Sequence, residues 1–110
     1  MSKVIHIFIR TMLEYKELEV SDYVRVVHVK EKKSGLDAII ALHNTNRGPA
    51  AGGTRLLGYK NFKDQLRDVL KLSKAMSYKN AFAQLSYGGG KANINKNKIK
   101  RLPEALKYYA

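Results

Sequence analysis

Apolar positions in the middle of the chain recur at helical spacing. Phe62, Leu66, Val69, Leu70, Ser73 and Met76 fall on one face, with Lys63, Arg67, Lys71 and Lys74 on the other. That pattern predicts an amphipathic helix ending near Tyr78. Met76 and Tyr78 continue its buried stripe, and Lys79 stands at or just past its end, where the negative pole of the helix dipole favours a cation. Ahead of it the period shortens. Tyr23 to Val29 (YVRVVHV) is β-branched and alternating, Lys33-Ser34-Gly35 is a turn signal, and Leu36 to Leu42 (LDAIIAL) reads as a returning strand. The two form a hairpin whose second strand, with Ile39 beside Ile40, is buried on both faces. Thr11 to Glu19 (TMLEYKELE) holds helix formers throughout and is expected to be a short helix. Val4 to Ile9 reads as an edge strand or an extended start.

Two glycine-rich stretches separate these elements. Asn46 to Arg55 is dominated by Gly, Pro and small residues and is expected to be loop. Gly88-Gly89-Gly90 reads as a turn, with Lys91 to Ile94 a short strand after it. Leu102-Pro103-Glu104 opens a last helix, with Pro103 where its missing N–H costs little. That helix has only Ala105 to Ala110 before the sequence stops, and Tyr108 and Tyr109 look like core residues without a core. The expected fold class is therefore α/β, a single incomplete domain over residues 1–110 that ends inside an element.

Composition narrows the chemistry more than the fold. With 45% hydrophobic residues the chain has a core to bury, which excludes disorder. It has no cysteine, and His6, His28 and His43 are not at metal-ligand spacing, so no metal site is expected. Val4 to Ile9 is too short to span a bilayer and lacks a cleavage site, so the reading is cytoplasmic with no membrane partner. The net charge of +12 is uneven, with nine basic and six acidic residues in 1–55 against twelve and three in 56–110. Outside Lys96-Asn97-Lys98-Ile99-Lys100-Arg101 the lysines are scattered, and no helix-turn-helix, RNA-recognition or zinc-finger signature is present. Abundant Lys, Asn, Ile and Tyr fit the codon bias of a low-GC genome. The charge is read as solvated surface and no nucleic-acid partner is expected, which leaves a basic nucleic-acid-binding protein a distant third reading.

Candidate chemistry gathers at Lys79 and Lys91. Two ammonium groups beside glycines that admit a small ligand can divide the work, one holding an anion and the other moving a proton. The glycine run is no dinucleotide fingerprint, because Gly88-Gly89-Gly90 leads straight into Lys91. Nor is it a P-loop, because Ala92 stands where Ser or Thr would hold magnesium.

The segment Gly35 to Ile94 resembles the N-terminal domain of the glutamate/leucine/phenylalanine/valine dehydrogenase family, and its leucine-type branch most. The residues that carry the likeness are Gly35-Leu36, Ala38 to His43, Gly48 to Arg55, Met76 to Ala81 and Gly88 to Lys91. The resemblance implies an α/β domain with a mixed sheet, truncated before the Rossmann domain, and an NAD-dependent oxidation of an apolar L-amino acid to a 2-oxo acid and ammonia. Carried over, it makes Lys79 the lysine that holds the substrate α-carboxylate. It makes Lys91 the catalytic lysine, which helps water add to the imino acid and then handles protons. Gly52, Gly53, Gly88 and Gly89 shape the pocket, and Met76 and Ala51 line the substrate side chain. Leucine-type enzymes usually carry a larger apolar residue at Ala51 and glutamate-type enzymes a lysine, so Ala51 argues against an acidic substrate and leaves the size of an apolar one open. The family's catalytic aspartate and NAD-binding domain lie beyond residue 110. NAD thus belongs to the complete family enzyme and is not expected to bind this chain alone. A homo-oligomer is expected, and a separate nucleotide-binding chain is a conceivable partner. The resulting expectation is the substrate-binding and oligomerisation segment of a leucine-type amino-acid dehydrogenase, inactive alone. The alternative is a non-catalytic oligomerisation or interaction module that retains the fold.

Overall fold

The hairpin expected from residues 23–42 is present and carries another strand on its outer flank. The computed structural model describes residues 13–109, with side chains as far as Leu106. In it β1 (Leu13–Leu18), β2 (Arg25–Glu31) and β3 (Leu36–Asn44) form an antiparallel meander. Gly35 turns β2 into β3 with φ 76°, a left-handed conformation that costs glycine nothing. The helix expected over 11–19 is instead β1, paired residue by residue with β2 from Leu13 on Glu31 to Leu18 on Val26. Helix propensities differ by only tenths of a kcal/mol per residue, so a ladder with an available partner overrides them. Its charges also pair across the edge, Glu17 with Arg25 at 2.5 Å and Glu14 with Lys32 at 3.8 Å. The strand expected over Val4–Ile9, together with Thr11, Met12 and the Tyr108 and Tyr109 side chains, lies outside the described residues.

After β3 come β4 (Ala50–Ala51), β5 (Thr54–Leu57), α1 (Phe62–Phe82), β6 (Gly88–Asn95), a 3-10 turn (Lys96–Lys98) and α2 (Leu102–Tyr109). β6 is the spine of a mixed sheet ordered β1-β2-β3-β6-β4, with β5 also on β6. It runs antiparallel to β3 and parallel to β4 and β5. Two expectations are corrected here. The stretch from 46 to 55 is not all loop, and the triple glycine is not a turn but the first part of β6. β4 and β5 keep one register on β6, Ala51 opposite Gly89 and Thr54 opposite Ala92, so they are a single edge strand interrupted at Gly52-Gly53.

β3 is covered on both sides, as the sequence predicts. Ile39 and Ala41 join Val26 and Val69 under α1, with Leu66 and Leu70 packed beside them. Leu36 and Ala38 join Leu13, Val29, Ile94 and Ala105 of α2 on the other face. Asn61 caps α1, its side chain accepting from the Asp64 N–H at 2.8 Å. The helix runs one turn past the expected end at Tyr78. Its innermost line is also more polar than the apolar pattern suggested, with Gln65, Val69, Ser73 and Asn80 buried. Tyr78 is 66% exposed and Phe62 41%, so neither belongs to the core. Among the described residues no helix is long and apolar enough to cross a membrane, and no group of His, Cys, Asp and Glu could hold a metal.

Candidate functional site

Strand alternation divides β6 between the two faces. Ile94 packs beneath α2, whereas Asn93 bonds Gln65 of α1, so Gly89, Lys91 and Asn93 share the α1 face. α1 covers most of that face. Ser73 Oγ donates to Ala41 O at 3.0 Å, and Gln65 Nε2 donates to Asp37 O and Asn93 Oδ1, both at 3.2 Å. Each polar side chain on the buried line thus has an acceptor on the sheet, which is why a polar line can be buried at all.

The helix has two further sides. Leu66 and Leu70 turn toward β2, where the Tyr23 hydroxyl donates to Leu70 O at 2.6 Å. Asp68 turns the other way and meets Arg55 of β5 at 3.0 Å. Steps of four, four and three residues from Asp68 lead to Leu72, Met76 and Lys79, so these stand above the β4–β5 edge. The register that puts Ala51 on Gly89 and Thr54 on Ala92 sets Gly53 opposite Lys91, and the Ala92 N–H donates to Gly53 O at 3.1 Å. The Lys91 ammonium lies over Gly53, 3.5 Å from where a Cβ would be. Lys91 is half-buried on the floor and Lys79 exposed on the rim, in the last turn of α1, not beyond it.

The glycines are fixed by contact. A Cβ on Gly52 would overlap Gly90 O, one on Gly88 would overlap Asn44 O, and one on Gly89 would overlap the Ser77 N and Oγ. Their absent side chains let β4, β3 and α1 each close against β6. The structure therefore brings Ala51, Gly52, Gly53, Gly88, Gly89 and Lys91 together on adjoining strands, with Met76 and Lys79 on the helix side above. Met76 is half-buried at that rim and not in the core.

Three positions complete the site that the sequence reading left without a role. Asn80 is 5% exposed and its amide donates to Gly88 O at 2.8 Å and Ala51 O at 3.4 Å, pinning the turn that carries Lys79 to both strands. Its position was legible only with the helix continued past Tyr78. Ser77 Oγ lies 2.7 Å from His43 Nδ1, and Tyr23 meets the His43 ring edge-on. Burial and then Lys74 lower the His43 pKa. At the far end Tyr59 donates a short hydrogen bond to Asp68 and accepts from Asn93 Nδ2 at 3.3 Å. Burial, followed by the bond and charge of Asp68, pushes the Tyr59 phenol up to about 12, so it stays protonated.

A floor ammonium, a rim ammonium and a half-buried thioether around bare backbone can take a small molecule with an anionic end and an apolar end. Residues 18–109 match the family described as Glu/Leu/Phe/Val dehydrogenase, dimerisation domain. Leucine dehydrogenase of Geobacillus stearothermophilus is 46% identical over 92 residues, which cover 84% of this chain and 25% of that enzyme. Phenylalanine dehydrogenase of Lysinibacillus sphaericus is 49% identical over 76 residues, 69% of this chain and 20% of that enzyme. Among solved structures, L-tryptophan dehydrogenase from Nostoc punctiforme matches with a TM-score of 0.74 and 36% identity, over 96% of this chain and 29% of that one. The chain spans a quarter to a fifth of the length of the two curated relatives.

Proposed function

Because the chain belongs to the Glu/Leu/Phe/Val dehydrogenase family, whose dimerisation domain it carries, we propose that it forms the amino-acid half of an NAD-dependent leucine-type dehydrogenase. The substrate is an apolar L-amino acid. Lys79 receives its α-carboxylate, and Lys91 moves protons as the imino acid takes up water. Ala51 and Met76 border the side chain, while Gly52, Gly53, Gly88 and Gly89 keep the floor open. The observation that carries this reading is the placement of Lys91 Nζ over Gly53, on the face that Met76 and Lys79 overlook. Any larger residue at position 53 would stand between the ammonium and a ligand. Relatives acting on leucine, phenylalanine and tryptophan support an apolar substrate without choosing its size.

The reaction also needs a nicotinamide held against the substrate Cα, a positioning effect worth ~7–11 kcal/mol of the barrier. No G-x-G-x-x-G turn occurs in the sequence. NAD therefore binds elsewhere in the complete enzyme, where it supplies the hydride acceptor. The test measures NADH formation with leucine, valine and phenylalanine, using the chain alone and then with a family nucleotide-binding half added in trans. The expected result is turnover only with the added half, abolished by Lys91→Ala. Turnover by the chain alone, or turnover indifferent to Lys91→Ala, would sink the proposal.

A further inference from the structure

The α1 face of the sheet continues beyond the start of the helix, and there it becomes cationic. Register aligns Lys16 with His28, and Lys30 with Asp37, on that face. Lys98 arrives from the 3-10 turn, 3.9 Å from Asp37. A cavity of about 260 Å³ opens between them, with Lys16, His28, Lys30, Asp37, Phe62 and Lys98 on its walls. A second, of about 370 Å³, shares Lys30, Asp37 and Lys98 and adds Lys32 and Lys100 together with Glu14 and Glu31.

The floor is built from buried polar groups, with His28 9% exposed, Asp37 5%, Gln65 1% and Asn95 1%. His28 Nε2 lies 2.7 Å from Asp37 Oδ1, and Asn95 Nδ2 donates to Tyr59 O at 3.3 Å. Burial alone would raise the Asp37 pKa. The His28 bond and the charges of His28, Lys30 and Lys98 outweigh that and hold it below the ordinary value. Asp37 is thus a satisfied carboxylate. Glu14, at the outer end, is engaged by Lys32. Lys16 and Lys30 belong to no ion pair among the described residues. The ammonium groups of Lys16, Lys30 and Lys98 outnumber the one carboxylate between them, which His28 and Lys98 already engage, and a multiply charged anion relieves their repulsion. Phe62, its ring 4.8 Å from His28, supplies an apolar wall on one side.

We propose that this cavity is a binding site for a small polyanion, a phosphate or a polycarboxylate, held by Lys16, Lys30 and Lys98. It is separate in the fold from the Lys79–Lys91 cradle and does not depend on the function proposed for it. Calorimetric titration of the whole chain with pyrophosphate, and separately with citrate, at constant ionic strength tests it and distinguishes the two chemistries. Saturable one-to-one binding of either is expected, with shifts in the His28 and Phe62 ring resonances. Lys16→Gln with Lys30→Gln weakens binding by about tenfold. Removing the same charge from the solvent side of α1, Lys63→Gln with Lys71→Gln, leaves it unchanged, as does Lys79→Gln with Lys91→Gln. Equal weakening by the Lys63 and Lys71 pair would mean diffuse charge attraction and overturn the site. Loss on removing Lys79 and Lys91, or no saturable binding, would also overturn it.

Discussion

A glycine can be required for its backbone angle or for what would touch its side chain, and the cradle uses the second reason. Gly52, Gly53, Gly88 and Gly89 are not among the residues with positive φ. Their effects on substitution should therefore follow contact. Gly89→Ala drives a methyl into the Ser77 backbone and should cost about 1–3 kcal/mol in urea denaturation. Gly53→Ala meets only the Lys91 ammonium, at an ordinary 3.5 Å, and should change stability by less than about 0.5 kcal/mol while lowering the reconstituted activity. Equal destabilisation by both would contradict the geometry. Titration carries a second residue-level expectation. His43 has its pKa lowered by burial and by Lys74, so the unfolded chain takes up its proton first. Its contribution is complete above the ordinary histidine value of 6.5 and declines as pH falls below it. Asp37, also lowered, contributes above the ordinary aspartate value of 3.8 and loses that contribution as pH falls through its folded pKa. Thermal denaturation from pH 8 to pH 3 should show stability falling in two stages, and His43→Gln should flatten the first.

At the scale of elements, legibility followed how much each element states its own reasons. The β2–β3 hairpin and α1 carry period and turn chemistry in the chain itself, and both were readable. β1 was not, because LEYKEL has helix-forming residues and becomes a strand only when β2 offers a ladder. β4, β5 and the glycine half of β6 were hidden for a related reason. Glycine has low strand propensity, and these segments are strands because neighbouring backbone closes on them. The candidate site was legible as a set of residues through its motif blocks, whereas its depth was not. Asn80, Asp68 and Tyr59 act on elements distant in sequence, so no local pattern marks them. Asn80 joins α1, β4 and β6 through one amide. Asn80→Ala leaves two carbonyls without their donor and should cost about 1–3 kcal/mol, with hydrogen exchange accelerated through residues 77–82. An unchanged exchange pattern would show that the last turn is held by something else.

For the whole molecule, the family assignment and the surface make the same claim. A dimerisation domain is expected to associate, and Tyr78, Phe82, Leu85 and Tyr87, exposed by 66%, 92%, 44% and 47%, form apolar surface where α1 ends and β6 begins. Sedimentation at micromolar concentrations should show dimers or larger species, and a stable monomer of 12.5 kDa would count against it. The position of β6 also governs how the chain comes to be folded. β6 is late in the sequence and central in the sheet, and among the described residues β4 and β5 pair with no other strand. During synthesis the meander of β1 to β3 can form as it emerges, because its contacts are local. The β4–β5 segment and the floor under α1 must wait, with the loop-closure entropy of Ala38 on Ile94 still unmet. The cradle and the β6 side of the sheet therefore arise in one late cooperative step, when Gly88–Asn95 pairs with β3 and gives β4 and β5 their partner. Until then, the nascent chain holds both candidate lysines or one of them without any geometry between them.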